Sequence, residues 1–303
     1  MRFRDHPYLS ALALLVALAL ALAAALLFFE RTIRVDGLRG RVEAALGRAL
    51  GAEAHIDGPL RLITGWRPGI EVEGLRLAGA AADAKWTAEA REARLRLDFW
   101  ALLGREIVVA AADLQDARLC AATDGQARKP RAPRGESRWR FGGIERLRIE
   151  RVEFFAGPSC AGEPWARIAS LEASLPAQAP LRLEAAGVLK GASWRAQLQG
   201  PPFAALAAST AASRFSLSAD LAGTRLRAQI DATPSPFAAS AQLEADADEL
   251  LPLTQLVDAP LKGFGSLHAS ARVDANASRL ELRVSEARLA PATIAGTFAL
   301  DWS

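Results

Sequence analysis

The chain of 303 residues is 51% hydrophobic and 23% charged, with a net charge of +3, so it has enough apolar content to bury a large core or line a large apolar surface. So small a charge on so long a chain is no nucleic-acid footprint, and no nucleic-acid partner is expected. Lysine occurs only at 85, 129, 190 and 262, so nearly every cation is arginine; with the abundant alanine, this reads as compositional bias rather than mechanism.

Residues 1–8 are a short N-terminal tail carrying Arg2 and Arg4. Residues 9–29 then run without a charge, a proline or a glycine. That is about the ~20 residues a helix needs to cross the ~30 Å hydrocarbon core of a bilayer. Backbone polar groups in lipid must be satisfied internally, so one uninterrupted transmembrane helix is predicted over 9–30. A cleaved signal peptide competes, because the start is basic. Its apolar region should span about 7–15 residues and end at small residues, whereas Ala23, Ala24 and Ala25 are followed by Leu26, Leu27, Phe28 and Phe29. A buried core helix is a weaker competitor, resting on the segment being apolar on all faces. Arg31, Arg34, Arg39 and Arg41 follow the segment, so the positive-inside count leaves its orientation open.

Asp36 is placed to cap a helix that ends near Gly51. Leu38, Val42, Ala45, Leu46, Ala49 and Leu50 share one face of it, with Arg39, Glu43 and Arg48 off that face. The apolar face is mostly small and lacks Trp and Phe. It therefore predicts a plug on the end of the following sheet rather than a helix lying in the membrane interface.

From Ala54 the pattern has period two, which means strands. Ala93, Leu95, Leu97 and Phe99 alternate with Arg94, Arg96 and Asp98. Between Ile70 and Leu77 the phase switches across Gly74, as a bulge at a glycine would produce. Residues 100–104 allow one helical turn between two strands. Residues 105–120 read as a strand, and 144–155 as another with a phase slip near Arg151. Residues 123–138, with two prolines, two glycines and five cations, form a predicted flexible basic loop. The regions are thus a helix-plus-sheet part over 31–122, the loop 123–138, and a continuing sheet over 139–303.

Beyond Pro180 the strands pair into hairpins of similar length. Leu181, Leu183, Ala185, Gly187 and Leu189 share a face with Trp194, Ala196 and Leu198. Phe215, Leu217, Ala219 and Leu221 turn at Ala222-Gly223 into Leu226, Ala228 and Ile230. Later hairpins carry Leu267, Leu280 and Leu282 on the equivalent face. Apolar connectors at 201–208 and 247–257 read as short helices. A unit of about 30–45 residues suggests a quasi-repeating, elongated sheet. The fold class expected is mainly β with one N-terminal transmembrane α-helix: an elongated, curled antiparallel sheet, groove-like and built of repeating hairpins, with a few short helices.

No catalytic constellation is visible. There is no G-x-S-x-G, phosphate loop or G-x-G-x-x-G, so no enzyme activity and no cofactor are expected. Alternation would put Glu53, His55 and Asp57 on one strand face, but no second cluster completes a metal site, and none is assigned. Two cysteines, Cys120 and Cys160, leave two readings open: one disulfide in an oxidising compartment, or two buried thiols.

The ordered series of motifs resembles the AsmA-like family of bacterial envelope proteins. An anchor is followed by the glycine-ended helix at 40–51, by Ile56-Asp57-Gly58, and by Arg67-Pro68-Gly69 leading into Val72-Glu73-Gly74-Leu75-Arg76-Leu77. The stretch 89–119 with Trp100-Ala101-Leu102-Leu103-Gly104, then Trp139-Arg140-Phe141 and Leu147-Arg148-Ile149, is similar to the segments that come next in that family. The resemblance implies a single-pass inner-membrane anchor with a cytoplasmic N-terminus and a periplasmic body. It also implies kinship with chorein-like, bridge-like lipid-transfer proteins, whose β-sheets hold acyl chains in a groove, and roles in lipid transport and outer-membrane assembly and integrity. The larger members are much longer than this chain.

A one-sided sheet must bury its apolar face against another layer or a ligand. The first expectation is therefore passive handling of phospholipid or another acyl lipid, with Leu95, Leu97, Leu217, Leu226, Ile230, Leu267, Leu280 and Leu282 among the groove-lining positions. The second is a structural or regulatory envelope scaffold with a filled β core and protein partners.

Overall fold

Long alternating segments need partners for every backbone amide and carbonyl, and here they find them in one sheet. In a computed structural model the described residues are 31–79, 86–121, 140–157, 160–208, 212–234, 237–249, 265–276, 279–289 and 292–301. They form β1 (Thr32–Arg34), β2 (Ala52–Ile56), β3 (Leu60–Ile63), β4 (Gly69–Gly79), β5 (Trp86–Leu97), β6 (Glu106–Ala121), β7 (Arg140–Ala156) and β8 (Ala166–Leu175). These continue as β9 (Leu181–Leu189), β10 (Ala192–Gly200), β11 (Ser213–Leu221), β12 (Thr224–Pro234), β13 (Phe237–Ala247), β14 (Leu267–Asn276), β15 (Arg279–Leu289) and β16 (Ala292–Asp301). Three helices accompany them: α1 (Arg39–Leu50), α2 (Phe99–Leu103) and α3 (Phe203–Ala208). The protein is mainly β, one large curled sheet with a few short helices. The predicted transmembrane helix over 9–30, the tail 1–8, the basic loop 123–138 and the connector beyond residue 249 lie outside the described residues. Among those described, no helix is long and apolar enough to cross a membrane.

Strand order follows chain order. Each strand from β4 to β16 lies beside its predecessor, β1 pairs with β3, and β2 takes the half of β4 that β3 leaves free. One pair departs from the antiparallel expectation. β6 and β7 run parallel, from Glu106↔Arg140 to Ala121↔Ala156. Parallel neighbours cannot be joined by a tight turn, and Ala121 and Arg140 accordingly sit at opposite ends of the pair. This seam is where the two sheet regions read from the sequence meet.

The bulge expected at Gly74 and the slip expected at Arg151 belong to one feature. Gly74, Asp116 and Arg151 have positive φ of 65°, 50° and 54°. The registers align them: Gly74 falls opposite Arg91, Arg91 opposite Asp116, and Asp116 opposite Arg151, with the flanking residues paired on both sides. In β8 the row ends at a register shift between Ile168 and Ser170. At this crease every strand from β4 to β8 reverses which parity faces which side, so one face stays apolar across it.

At the start of the sheet, Val42 of α1 packs with Val35 on the cluster of Ile56, Leu60 and Val72. That is the plug the helix's small apolar face predicts. Gly51 ends α1 in the left-handed conformation, as expected, but Asp36 does not cap it. The residue at the cap is Leu38, with no side-chain cap bond. Asp36 instead opens a 3-10 turn, and its carboxylate accepts from the Leu60 N–H at 3.3 Å, tying the turn to β3. Cys120 and Cys160 form a disulfide that fastens the end of β6 to the segment after β7, and Cys120 is fully buried.

Two stability outcomes follow from these constraints. A Cβ at Gly74 would sit 3.3 Å from Asp57 and Gly58, on a backbone that disfavours L side chains, so Gly74→Ala should cost about 1–2 kcal/mol, read as a lower urea midpoint. The disulfide closes 40 residues of sequence, so a Cys120→Ala/Cys160→Ala double variant should lose about 2–4 kcal/mol by the same measurement.

Candidate functional site

The side-chain period of two and the registers together define a single apolar face. One row of directly opposed residues runs Ile70, Leu95, Ala112, Leu147, Ala173, Leu183, Leu198, Leu217, Ala228, Leu243, Ala271, Val284, Gly296, from β4 to β16 without a polar residue. At about 4.8 Å per strand, these thirteen strands span roughly 60 Å. A second row runs beside it through Val72, Ala93, Leu114, Ile149, Leu171 and Ala185 to Leu226. All strands belong to one sheet, so no second sheet covers this face among the described residues. Its leucines are mostly half-buried, with Leu95 41% exposed, while Ala173, Ala185 and Ala228 are buried between them.

All eight sequence-predicted lining residues lie on this face. Leu95 and Leu217 are in the first row and Leu226 in the second. Ile230 and Leu282 belong to a third row through Ala241 and Val273, and Leu280 to a fourth through Ala275 and Ala239. Leu97 lies opposite Val109 near one rim, and Leu267 opposite Ala247 near the other. The residues are therefore spread along the sheet rather than gathered in one pocket.

The opposite face is polar. Its matching row reads Glu71, Arg94, Asp113, Arg148, Glu172, Glu184, Gln197, Ser218, Arg227, Glu244, Ser270, Glu286. Two shallow hollows lie there. One of about 300 Å³ is floored by Gln197, Gln199, Ser216, Ser218, Arg227, Gln229, Gln242 and Glu244. Another of about 390 Å³ has Asp231, Ser240, Asp274, Asn276, Arg279 and Glu281 on its lining. Their linings mix amides, hydroxyls and carboxylate–guanidinium pairs with apolar groups, Leu217 and Ala228 in the first and Ala238, Ala239 and Ala275 in the second.

Ion pairs stitch this face. Arg94 Nε reaches Glu71 at 3.1 Å, and Arg214 Nε donates to Asp231 at 2.9 Å. At the crease Asp116 accepts from Arg151 through both its oxygens and pairs with Arg91 at 2.5 Å. The Arg151 hydrogen bond holds the Asp116 carboxyl below its ordinary value, with the two guanidinium charges adding to the effect. Near the far rim, the hydrogen bond from His268 at 2.6 Å likewise lowers Asp246. His55 is bracketed by Glu43 of α1 at 3.3 Å and Asp57 at 3.2 Å, so its partners are not the Glu53–Asp57 pair read from alternation. Among the described residues, no group of three or more His, Cys, Asp or Glu is arranged to hold a metal ion.

Sequence reading missed two features. Asp116 is one; its signal was present, since the apolar Ala112 and Leu114 are even-numbered and Ala117 and Leu119 odd-numbered. The other is an aromatic ledge, in which Trp66 and Trp100 have ring centroids 5.4 Å apart and Phe99 meets Trp100 at 5.6 Å. Nothing in the spacing of Trp66 and Trp100 announces their contact, which depends on β4 and β5 pairing. Comparison of the chain with protein-family models, with curated proteins and with solved structures finds no match.

The Asp116 pair carries a pH dependence of definite sign. Because its folded value is lowered, its contribution is present above the ordinary value of 3.8 and is lost as pH falls through the lower folded value. Asp116→Asn should destabilise the protein near neutrality, removing the carboxylate that Arg91 and Arg151 share and leaving Arg151 its longer pair with Glu150 at 3.7 Å. The difference from the native chain should vanish in urea titrations at the acidic end.

Proposed function

We propose that this chain is a membrane-anchored envelope protein of AsmA-like type that passively binds or transfers phospholipid, or another acyl lipid, along its apolar face in support of outer-membrane assembly and integrity. Residues 9–29 are its single-pass inner-membrane anchor, the N-terminus is cytoplasmic and the sheet is periplasmic. The observation that carries this reading is the unbroken apolar row from Ile70 to Gly296, half-exposed along a single-layer sheet. Exposed apolar area of this extent is costly in water and is characteristic of a surface that takes a partner. Acyl chains suit it because they need contact rather than hydrogen bonds, and the row offers contact only. The Cys120–Cys160 disulfide agrees with an oxidising compartment. The ordered motif series of the first 150 or so residues agrees with the family.

Photo-crosslinking residues placed singly at Leu217 and Leu226 test the track, with Ser218 and Arg227 on the opposite face as controls. Phospholipid adducts are expected at the first pair and not at the second, read by mass spectrometry of the protein purified from membranes. Adducts at neither pair would end the lipid reading and leave the scaffold; equal adducts at both would show only adhering membrane.

A further inference from the structure

We propose that the rim of the sheet bearing Trp66, Trp100 and Leu103 lies against the surface of the bilayer that holds the anchor, with its aromatic rings at headgroup depth. The inference rests on reading residues 9–29 as that anchor. Arg31, the first described residue, is pinned to this rim. The Thr64 N–H donates to the Arg31 carbonyl at 2.9 Å, the Arg31 N–H donates to Thr64 Oγ1 at 3.3 Å, and Thr32 pairs with Ile63 at the end of β3. Phe29, the last residue of the apolar run, is only two residues before Arg31. At about 3.3–3.6 Å per residue, the membrane segment cannot end far from the rim.

The same rim gathers exposed apolar groups, of which Phe141 also meets Phe203 of α3 at 5.2 Å between ring centroids. The starts of β4, β6 and β7 and the end of β5 converge there. Trp100 is 59% exposed, Leu103 65%, Phe141 48%, Ile33 47% and Trp66 37%. At the opposite rim Leu50, Trp165 and Val188 are exposed, and Trp165 meets Phe154 at 5.9 Å between ring centroids. The ledge is also rigid. Asp98 accepts from the Ala101 N–H at 2.8 Å and so caps α2, which sets Trp100 and Leu103, three residues apart, on one side of the turn. Arg67 and Arg105 flank the rings, Arg67 paired with Glu145 at 3.4 Å. A contacting, tilted Trp pair with arginine close in sequence suits an interface that is apolar on one side and hydrated and anionic on the other. Contact there would bring Leu95 and Leu97, at the near end of the apolar face, close to lipid.

The full-length chain in vesicles of phosphatidylcholine and phosphatidylglycerol provides the test. The two native cysteines are disulfide-bonded, so an environment-sensitive fluorophore can be attached to a single new thiol at Leu103→Cys, or at Trp165→Cys as the opposite-rim control. The dye at 103 should be blue-shifted and quenched several-fold more by headgroup-level nitroxide lipid than the dye at 165, and Trp66→Ala/Trp100→Ala should reduce that difference. Resistance to carbonate extraction, measured on the same vesicles, tests the anchor separately. A chain that resists extraction while the dye at 103 reports water would overturn the rim contact and leave the anchor standing. Release of the chain by carbonate would remove the anchor and the rim contact with it.

Discussion

The structure depends on keeping phase. Strand side chains alternate with period two, so a one-residue offset in any strand would turn its leucines to the polar side. Thirteen consecutive strands hold one face apolar; one change of parity is shared by all strands from β4 to β8 in the same row, at Gly74, Arg91, Asp116 and Arg151, and local shifts in β6 and β15 are absorbed without losing the face. A shared crease bends the sheet and leaves the face continuous. Two non-glycine residues, Asp116 and Arg151, accept a left-handed backbone there, and their mutual salt bridge gives that conformation local support.

A sheet of one layer gains less from burial than a sandwich does. Its largest fully buried side chains are Ile56, Leu60 and Cys120, all in the first half of the chain. Elsewhere each strand is stabilised chiefly by its two neighbours, through ladder hydrogen bonds and side-by-side leucine and alanine contacts, so stability is nearly a nearest-neighbour property. The plug of α1 and the disulfide therefore matter beyond their size. They close one end of the array and lock its parallel seam. At the other end β16 has β15 as its strand neighbour among the described residues, with Phe298 more than half and Leu300 half exposed.

What was legible in the sequence follows from the same physics. Alternation is local, so strands, hairpin partners and the face bearing Leu217, Leu226, Ile230 and Leu282 could be read without the fold. Gly74 and Arg151 showed as phase changes because a bulge is also local. The parallel pairing of β6 with β7 was hidden because nothing in either strand records its neighbour's direction. Asp36 looked like a helix cap because a carboxylate before a helical stretch usually is one, but a competing donor, the Leu60 N–H, holds it elsewhere. The contact of Trp66 with Trp100 needed both the β4–β5 register and the turn of α2, neither of which is written in the residues themselves.

The two halves of the sheet set their registers by different means. In the second half two of the connections are tight. Lys190 and Gly191, and again Ala222 and Gly223, have positive φ at both central positions, the type I′ hairpin geometry that fixes register through the turn. In the first half, helices and long connections separate the strands, so no turn can dictate pairing. There the polar row alternates in sign, Glu71, Arg94, Asp113, Arg148, Glu172. Each exposed pair stabilises by only about 0–1 kcal/mol. A slipped register, however, would lose several such pairs together while also misaligning the bulky apolar residues opposite. Charge on the outer face thus keeps in register the strands whose connections cannot, and the lipid-compatible face beneath depends on that order.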